Sequence, residues 1–341
     1  MRVLVAPDKF AGTLSAPQAA HAIAEGWRQS APADEVVTVP LADGGPGFVE
    51  VLAQSLGGEV LPVPTRGPLG DEALGAVLIA DGTAYVEVAQ AAGLHLLPAG
   101  WHDAERPDTA GVADLLLAAV SADVDRIVVG VGGTGTTDGG RGMVERFQAL
   151  GGVIPKELQL QIATDVDNPL LGPLGAAPVF GPQKGADSDT VDRLERRLAD
   201  WLLDTRGSDF PGAGAGGGLG YGLALLGGQR VSGIDTCLAA VRFDDRVAES
   251  DLVITGEGSF DWQSLRGKVV SGVAYRAAAK ARPCLVLAGR VDVGKRESSA
   301  AGVDEAWSIV DHVGSVEEAM SRPAAGLTSL AARVAALWSH D

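Results

Sequence analysis

Apolar, β-branched runs recur along this chain, and most of them end in a short glycine-rich turn that carries an acid. Residues 2–5 lead into Ala6-Pro7-Asp8-Lys9, and residues 36–39 into Leu41-Ala42-Asp43-Gly44-Gly45. Residues 126–129 run into Gly130-Val131-Gly132-Gly133, and 160–163 into Thr164-Asp165-Val166-Asp167-Asn168-Pro169. Residues 251–255 end in Gly256-Glu257-Gly258. Short apolar runs bounded by turn residues predict buried parallel strands. Such strands would send their polar loops to one rim, where open α/β sheets bind ligands.

Between these runs the period changes to that of helices. Ser15 can cap a helix over 15–28, with Pro17 in its first turn and Ala19, Ile23 and Trp27 on one stripe. A strand over 36–41 and a helix over 48–55, closed by Gly57-Gly58, complete a βαβα start. Residues 60–63, 76–79 and 84–89 then read as strands, with Asp81-Gly82 as a strong hairpin signal. Helices are predicted over 109–121, 141–150 and 187–203. From 252 the strand–helix rhythm returns, with a helix over 269–281, strands over 284–288 and 306–310, and a last helix over 323–339. A parallel sheet that starts, stops and resumes predicts an α/β protein of two domains. One is discontinuous, 1–64 plus 284–341; the other is a large insert, 65–283, with a mixed sheet. The strand over 251–255 fits either. The glycine-rich stretch 212–222 reads as a flexible linker or as backbone packed against a ligand or a helix.

Composition narrows the partners. The 341 residues suit about two domains on a prior of roughly 150 residues each. The formal charge is 27 − 44 = −17, which argues against nucleic acid or an anionic membrane as the main partner. It leaves nucleotides open, because a local cation can invert the field of a cleft. Cys237 and Cys284 lie in apolar surroundings and read as reduced core thiols. The chain enters a strand at once, without a signal-peptide layout, and no apolar run reaches the ~18 residues of a membrane span. The cytosol is the expected compartment.

The candidate chemistry sits in the turns. Gly130 to Gly135 fits G-x-G-x-x-G, but Thr136-Thr137-Asp138-Gly139-Gly140 intervenes before any helix. The stretch 132–142 reads better as a hydroxyl- and glycine-lined phosphate loop near a helix start, with a tight turn as the plainer alternative. No Walker A motif exists, since Arg266-Gly267-Lys268 is followed by Val269. Asp165 and Asp167 would share one face if the chain stays extended, and could hold Mg²⁺ or share a proton; an Asx turn is the plainer alternative. Glu257 and Asp261 again place acids past a strand, with Lys268 near the next helix start. Lys184 is held between Pro182 and Gly185, and Lys9 follows the first strand. His21, His95, His102, His312 and His340 show no metal spacing and receive no role.

Taken in order, these segments resemble the bacterial glycerate kinase family of the type that makes 2-phosphoglycerate. The matching stretches are Ala6-Pro7-Asp8-Lys9-Phe10, Ala42-Asp43-Gly44-Gly45, Gly67-Pro68-Leu69-Gly70, Gly132-Gly133 and Thr137-Asp138-Gly139-Gly140. They continue through Asp165-Val166-Asp167-Asn168-Pro169-Leu170, Phe180-Gly181-Pro182-Gln183-Lys184-Gly185-Ala186 and Gly212-Ala213-Gly214-Ala215. Val253-Ile254-Thr255-Gly256-Glu257-Gly258, Asp261, Gln263-Ser264 and Gly267-Lys268 close the set. The chain departs from the family at Ala11, at Pro46, where a Glu is common, and at Asp108-Thr109, where a longer Ser/Thr stretch is usual.

The resemblance implies ATP- and Mg²⁺-dependent phosphorylation of D-glycerate. It also implies a flavodoxin-like, Rossmann-type domain split by the inserted domain, with the site in the cleft between them. The expected catalytic residues are Asp43, Lys9, Asp165 and Lys184. The expected nucleotide-binding residues are Gly132, Gly133, Thr136, Asp138, Glu257, Asp261 and Lys268, and the expected metal ligands Asp165, Asp167 and Glu257. Which carboxylate is base and which is ligand stays open. The expected partners are D-glycerate and ATP, with a homodimer as a further expectation. Two other readings are a nicotinamide-dependent oxidoreductase of a small hydroxy acid, resting on Gly130 to Gly135, and a non-catalytic binder of a sugar acid or nucleotide.

Overall fold

The computed structural model describes residues 1–339 apart from Ala11 and Arg266. The motif positions Ala11 and Arg266, and His340, lie outside the described residues. In chain order the strands are β1 Arg2–Val5, β2 Glu35–Thr38, β3 Glu59–Arg66, β4 Glu72–Ala80, β5 Thr83–Glu87, β6 Arg126–Gly130 and β7 Gln159–Ala163. They continue with β8 Gln229–Val231, β9 Leu252–Thr255, β10 Ser259–Phe260, β11 Cys284–Ala288, β12 Arg290–Val291 and β13 Glu305–Ser308. The chain forms two compact units, residues 1–42 with 234 onward, and residues 43–233.

The first unit holds a five-stranded sheet in the order β13-β11-β9-β1-β2. Every pairing in it is parallel, with Val3 opposite both Val36 and Leu252. The strands β9 and β11, apolar except for Thr255, are buried throughout, as strands covered on both faces must be. Helices Ala16–Ser30 and Pro323–Trp338 bury Ile23, Trp27, Leu327, Leu330 and Val334 against Val3, Val5 and Leu285. The first of these helices starts where predicted. Ser15 accepts from the Gln18 amide and the Gln18 side chain accepts from the Ser15 amide, a reciprocal capping box. Both cysteines are buried and neither is in a disulfide among the described residues.

The second unit holds a six-stranded mixed sheet in the order β3-β4-β5-β6-β7-β8. β3, β4 and β5 are antiparallel, and β5 to β8 are parallel. Asp81 and Gly82 join β4 to β5 with φ of 48° and 70°, the left-handed pair that a two-residue hairpin requires. Helices Val112–Val120, Arg141–Ala149 and Ser188–Asp204 bury Leu115, Leu116, Phe147, Leu194 and Leu198 in its core.

Several expectations change, and the open placement of the strand over 251–255 is decided. The units divide at 42/43 and 233/234 rather than at 64/65 and 283/284. β3 pairs with β4 along its whole length, so it belongs to the mixed sheet. β9 lies between β1 and β11, so it belongs to the parallel one. The acid-bearing turns are therefore shared between two sheets instead of gathering along one. The strand expected over 306–310 stops at Ser308, which caps the helix Ile309–Val313. Among the described residues no helix is long and apolar enough to cross a membrane.

Candidate active site

In the second unit the site is built on the carboxyl ends of β6 and β7. The turn from Asp43 to Pro46 lies against them backbone to backbone. The Gly132 amide donates to the Gly44 carbonyl at 3.0 Å. A methyl group on Gly44 would come within 2.8 Å of the Ala163 carbonyl oxygen, and one on Gly132 within 2.6 Å of the Gly45 Cα. Only glycine permits that approach.

Asp165, past β7, accepts from the Ser232 hydroxyl at 2.7 Å and the Gly233 amide at 3.0 Å, both on Oδ1. Gly233 wedges between this carboxylate and the Asp43 carbonyl. A Cβ there would lie 2.3 Å from the Asp43 oxygen and 3.2 Å from Asp165 Oδ2. Asp43 and Asp165 are thus brought together, and the Asp43 carboxylate accepts from the Gly45 amide at 3.2 Å. Asp167 is not held with them. It is mostly exposed and ion-paired with Arg230 at 2.5 Å. The Val166 amide donates to Thr164 Oγ1, a local turn that ends the extended backbone on which a shared face depended.

The glycine loop continues into a polar floor. Lys184 stands on the short turn Pro182–Lys184, closed by Gly185 at φ 93°. It is 2% exposed, and its Nζ donates to the Thr136 carbonyl at 2.5 Å and to Thr134 Oγ1 at 3.3 Å. Burial drives its pKa down to about 7, and the nearby Asp138 carboxylate opposes the shift. Gly216, Gly217 and Gly218 take φ of 64°, 72° and 90° and press on this floor. A Cβ on Gly217 would meet the Thr136 oxygen at 1.9 Å and Lys184 Nζ at 2.7 Å. The glycine-rich stretch is therefore close-packed backbone and not a linker. The hydroxyls of Thr136 and Thr137 are buried without a partner among the described residues. Asp138 accepts from the Thr109 amide and hydroxyl and from the Gly140 and Gly142 amides, at 2.8–3.1 Å. With all these donors it anchors the start of the helix Arg141–Ala149 and lends its charge to Lys184.

In the first unit a second set gathers past β1 and β9. Asp8 is 8% exposed, accepts from the Lys9 amide at 2.7 Å and lies 3.8 Å from Lys9 Nζ. Glu257 is buried, and its Oε1 has no hydrogen-bond partner among the described residues. Burial pushes its pKa up to about 7. A hydrogen bond from Ser264 and the charge of Lys268 oppose the rise, while Asp8 and Asp261 add to it. Asp261 is set by a tight turn, its amide donating to Ser264 Oγ and its Oδ1 accepting from the Gln263 amide. Lys268 occupies the N-cap of the helix Val269–Ala279. Among the described residues no group of three or more His, Cys, Asp or Glu side chains is arranged as a metal cage.

Glu257 has a measurable consequence. Its folded-state pKa lies above the ordinary 4.5, so the folded protein holds a proton that the unfolded chain has released. Its contribution therefore falls as pH rises from about 4.5 through about 7, by a few kcal/mol at ~1.4 kcal/mol per unit. Thermal melts of the wild type and Glu257→Gln between pH 4 and 8 should diverge, the variant gaining relative stability as pH rises. Parallel curves would show that Glu257 titrates normally.

Several contributing groups escaped the pattern of residues. Ser232 and Gly233 follow a strand of three residues, too short to show a period. Thr109 and Thr134 act through hydroxyls that look like ordinary turn polarity. Asp8 was visible, an acid at the end of a buried run.

The profile of the Glycerate kinase family matches residues 3–154 and 152–339. An uncharacterised protein of Mycobacterium bovis is 46% identical over 98% of this chain and 91% of its own length. A glycerate kinase of Bacillus subtilis is 37% identical over 98% of this chain and 97% of its own. The glycerate 2-kinase of Escherichia coli is 35% identical over 94% and 93%. A Salmonella typhimurium LT2 protein, provisionally assigned as glycerate kinase 2, has a crystal structure that superposes with a TM-score of 0.78 at 32% identity, covering 99% of this chain and 98% of that one. With similarity running through both compact units, the chain belongs to the glycerate kinase family.

Proposed function

We propose that the protein transfers the γ-phosphoryl group of ATP to the 2-hydroxyl of D-glycerate, giving 2-phosphoglycerate and ADP, with Mg²⁺ as the required metal. The observation that carries this reading, beside family membership, is the polar floor around Lys184. A buried ammonium, two unpartnered hydroxyls and close-packed glycine backbone form an environment for an anionic group. Phosphoryl transfer asks a protein mainly for positioning and charge stabilisation, and such groups supply both.

The other residues take roles consistent with their surroundings. Asp165, oriented by Ser232 and Gly233 and set beside Asp43, accepts the proton of the attacking hydroxyl. Counted within itself, the parallel sheet has the order 2-1-3-4-5, which supports the flavodoxin-like reading of that unit. Its switch point falls between β1 and β9, where Asp8, Lys9 and Glu257 stand. Mg²⁺ needs only one or two carboxylates beside phosphate oxygens and water. Glu257, with an unpartnered oxygen and like charges in Asp8 and Asp261, suits it, and Lys9 and Lys268 add positive charge near the phosphates. When bound, the ion neutralises charge on the phosphate oxygens. The setting is the cytosol, which keeps Cys237 and Cys284 reduced.

ADP release by the purified protein tests the reading. ADP should form with D-glycerate when ATP and Mg²⁺ are both present, and stop when EDTA removes the metal. No ADP with D-glycerate, L-glycerate, D-lactate or glycolate would overturn it. NADH binding without ATP turnover would instead support the oxidoreductase, although the helix after Gly130 to Gly135 begins only at Arg141, away from the glycines.

A further inference from the structure

Glu87 ends β5, is 5% exposed and has no part in the chemistry above. Its Oε2 accepts from the Gly47 amide at 3.1 Å and the Val49 amide at 3.2 Å. Both amides belong to the first turn of the helix Phe48–Leu56, whose N-cap, Gly47 at φ 96°, offers no side chain of its own. A carboxylate from a distant strand therefore caps a helix that its own sequence leaves uncapped, and its charge meets the positive end of the helix dipole. That helix follows directly on the turn bearing Asp43. The turn is held on its other side by the Gly132 amide on the Gly44 carbonyl, and Pro46 sits over Gly133, where a Cβ would come 2.5 Å from the ring.

We propose that Glu87 is a positioning residue of this site. It ties the start of the helix Phe48–Leu56 to β5 and so keeps the turn from Asp43 to Pro46 in register with Asp165 and the glycine loop. The turn meets β6, β7 and the glycine loop through the backbone of Gly44 and Gly45, and glycine imposes little conformational restraint of its own. Without the carboxylate the fold persists, since the buried apolar side chains Phe48, Val51 and Leu52 still dock the helix. What is lost is the fixed placement of Asp43.

Two measurements on Glu87→Ala and Glu87→Gln test this. In hydrogen–deuterium exchange, peptides covering 43–49 should exchange at least ~10-fold faster in the Ala variant, with peptides of the parallel sheet unchanged. The Gln variant keeps an acceptor and should stay within ~3-fold of wild type. In turnover, the Ala variant should lose ~10-fold or more in kcat with the KM for ATP nearly unchanged, and Gln should restore most of it. Ser315→Ala, which removes the cap of the helix Val316–Ser321, controls for cap loss as such and should leave kcat unaltered. Unchanged exchange over 43–49 in the Ala variant, or a loosened turn with wild-type kcat, overturns the proposal. The turnover arm rests on the kinase reading. The exchange arm does not, so a wild type without kinase activity refutes that reading while the anchoring is still decided.

Discussion

Replacing Lys184 with methionine is expected to cut turnover by about a hundredfold or more while raising thermal stability at neutral pH. The two effects share one cause. The ammonium is buried at 2% exposure, and its pKa falls from the ordinary 10.5 to about 7. With the opposing attraction of Asp138 already included, that shift corresponds at ~1.4 kcal/mol per unit to a cost on the order of 5 kcal/mol for keeping it charged. Methionine has similar length and no charge to desolvate, so the folded state should gain. The pH dependence follows from the direction of the shift. Below about 7 both folded and unfolded states carry the proton, and the wild type bears the full penalty. Between about 7 and 10.5 the unfolded chain holds a proton that the folded protein lacks, so wild-type stability rises with pH through that window. The melting-temperature advantage of Lys184→Met should be largest at or below pH 7 and shrink towards pH 10. A variant that melts lower than wild type at pH 7, or turns over normally, would remove Lys184 from the role assigned to it.

The second large effect is expected at Asp165. Its hydrogen bonds from Ser232 and Gly233 both end on Oδ1. Asparagine can present its carbonyl oxygen there and keep them, so Asp165→Asn removes the charge and leaves the local geometry intact. Turnover should fall by an order of magnitude or more, in line with roughly 2–4 kcal/mol for lost electrostatics at comparable sites. The melting temperature should stay close to wild type, because the changed group lies in a loop and keeps its bonds from Ser232 and Gly233. If the carboxylate only stabilises its turn, the reverse pattern appears: a lower melting temperature and normal turnover per folded molecule. Asp167→Asn should matter far less, since that side chain is mostly exposed and faces Arg230.

Local signals in the chain carried a long way. Ser15 and Gln18 announced a helix start, Asp81-Gly82 a hairpin, and the apolar runs ending in acids the strands whose turns bear Asp43, Asp165 and Glu257. These features depend on neighbours within a few residues. What stayed illegible is set at long range. An apolar run such as β9 looks the same whichever sheet it joins, and only its pairing with β1 and β11 assigns it. The same limit explains Asp167, whose partner Arg230 is remote in sequence, and Glu87, whose amide partners lie on a helix nearly forty residues earlier. The glycines at 216–218 were ambiguous for a related reason, since close packing and flexibility call for the same residue.

Phosphorus NMR of the reaction with D-glycerate, ATP and Mg²⁺ tests the central claim most directly. Phosphorylation at the 2-hydroxyl places the new ester on a carbon bearing one hydrogen, so the product phosphorus should appear as a doublet that grows in step with ADP. A triplet, marking an ester on a carbon bearing two hydrogens, would contradict the assigned position. Inorganic phosphate alone would contradict transfer to the acid altogether.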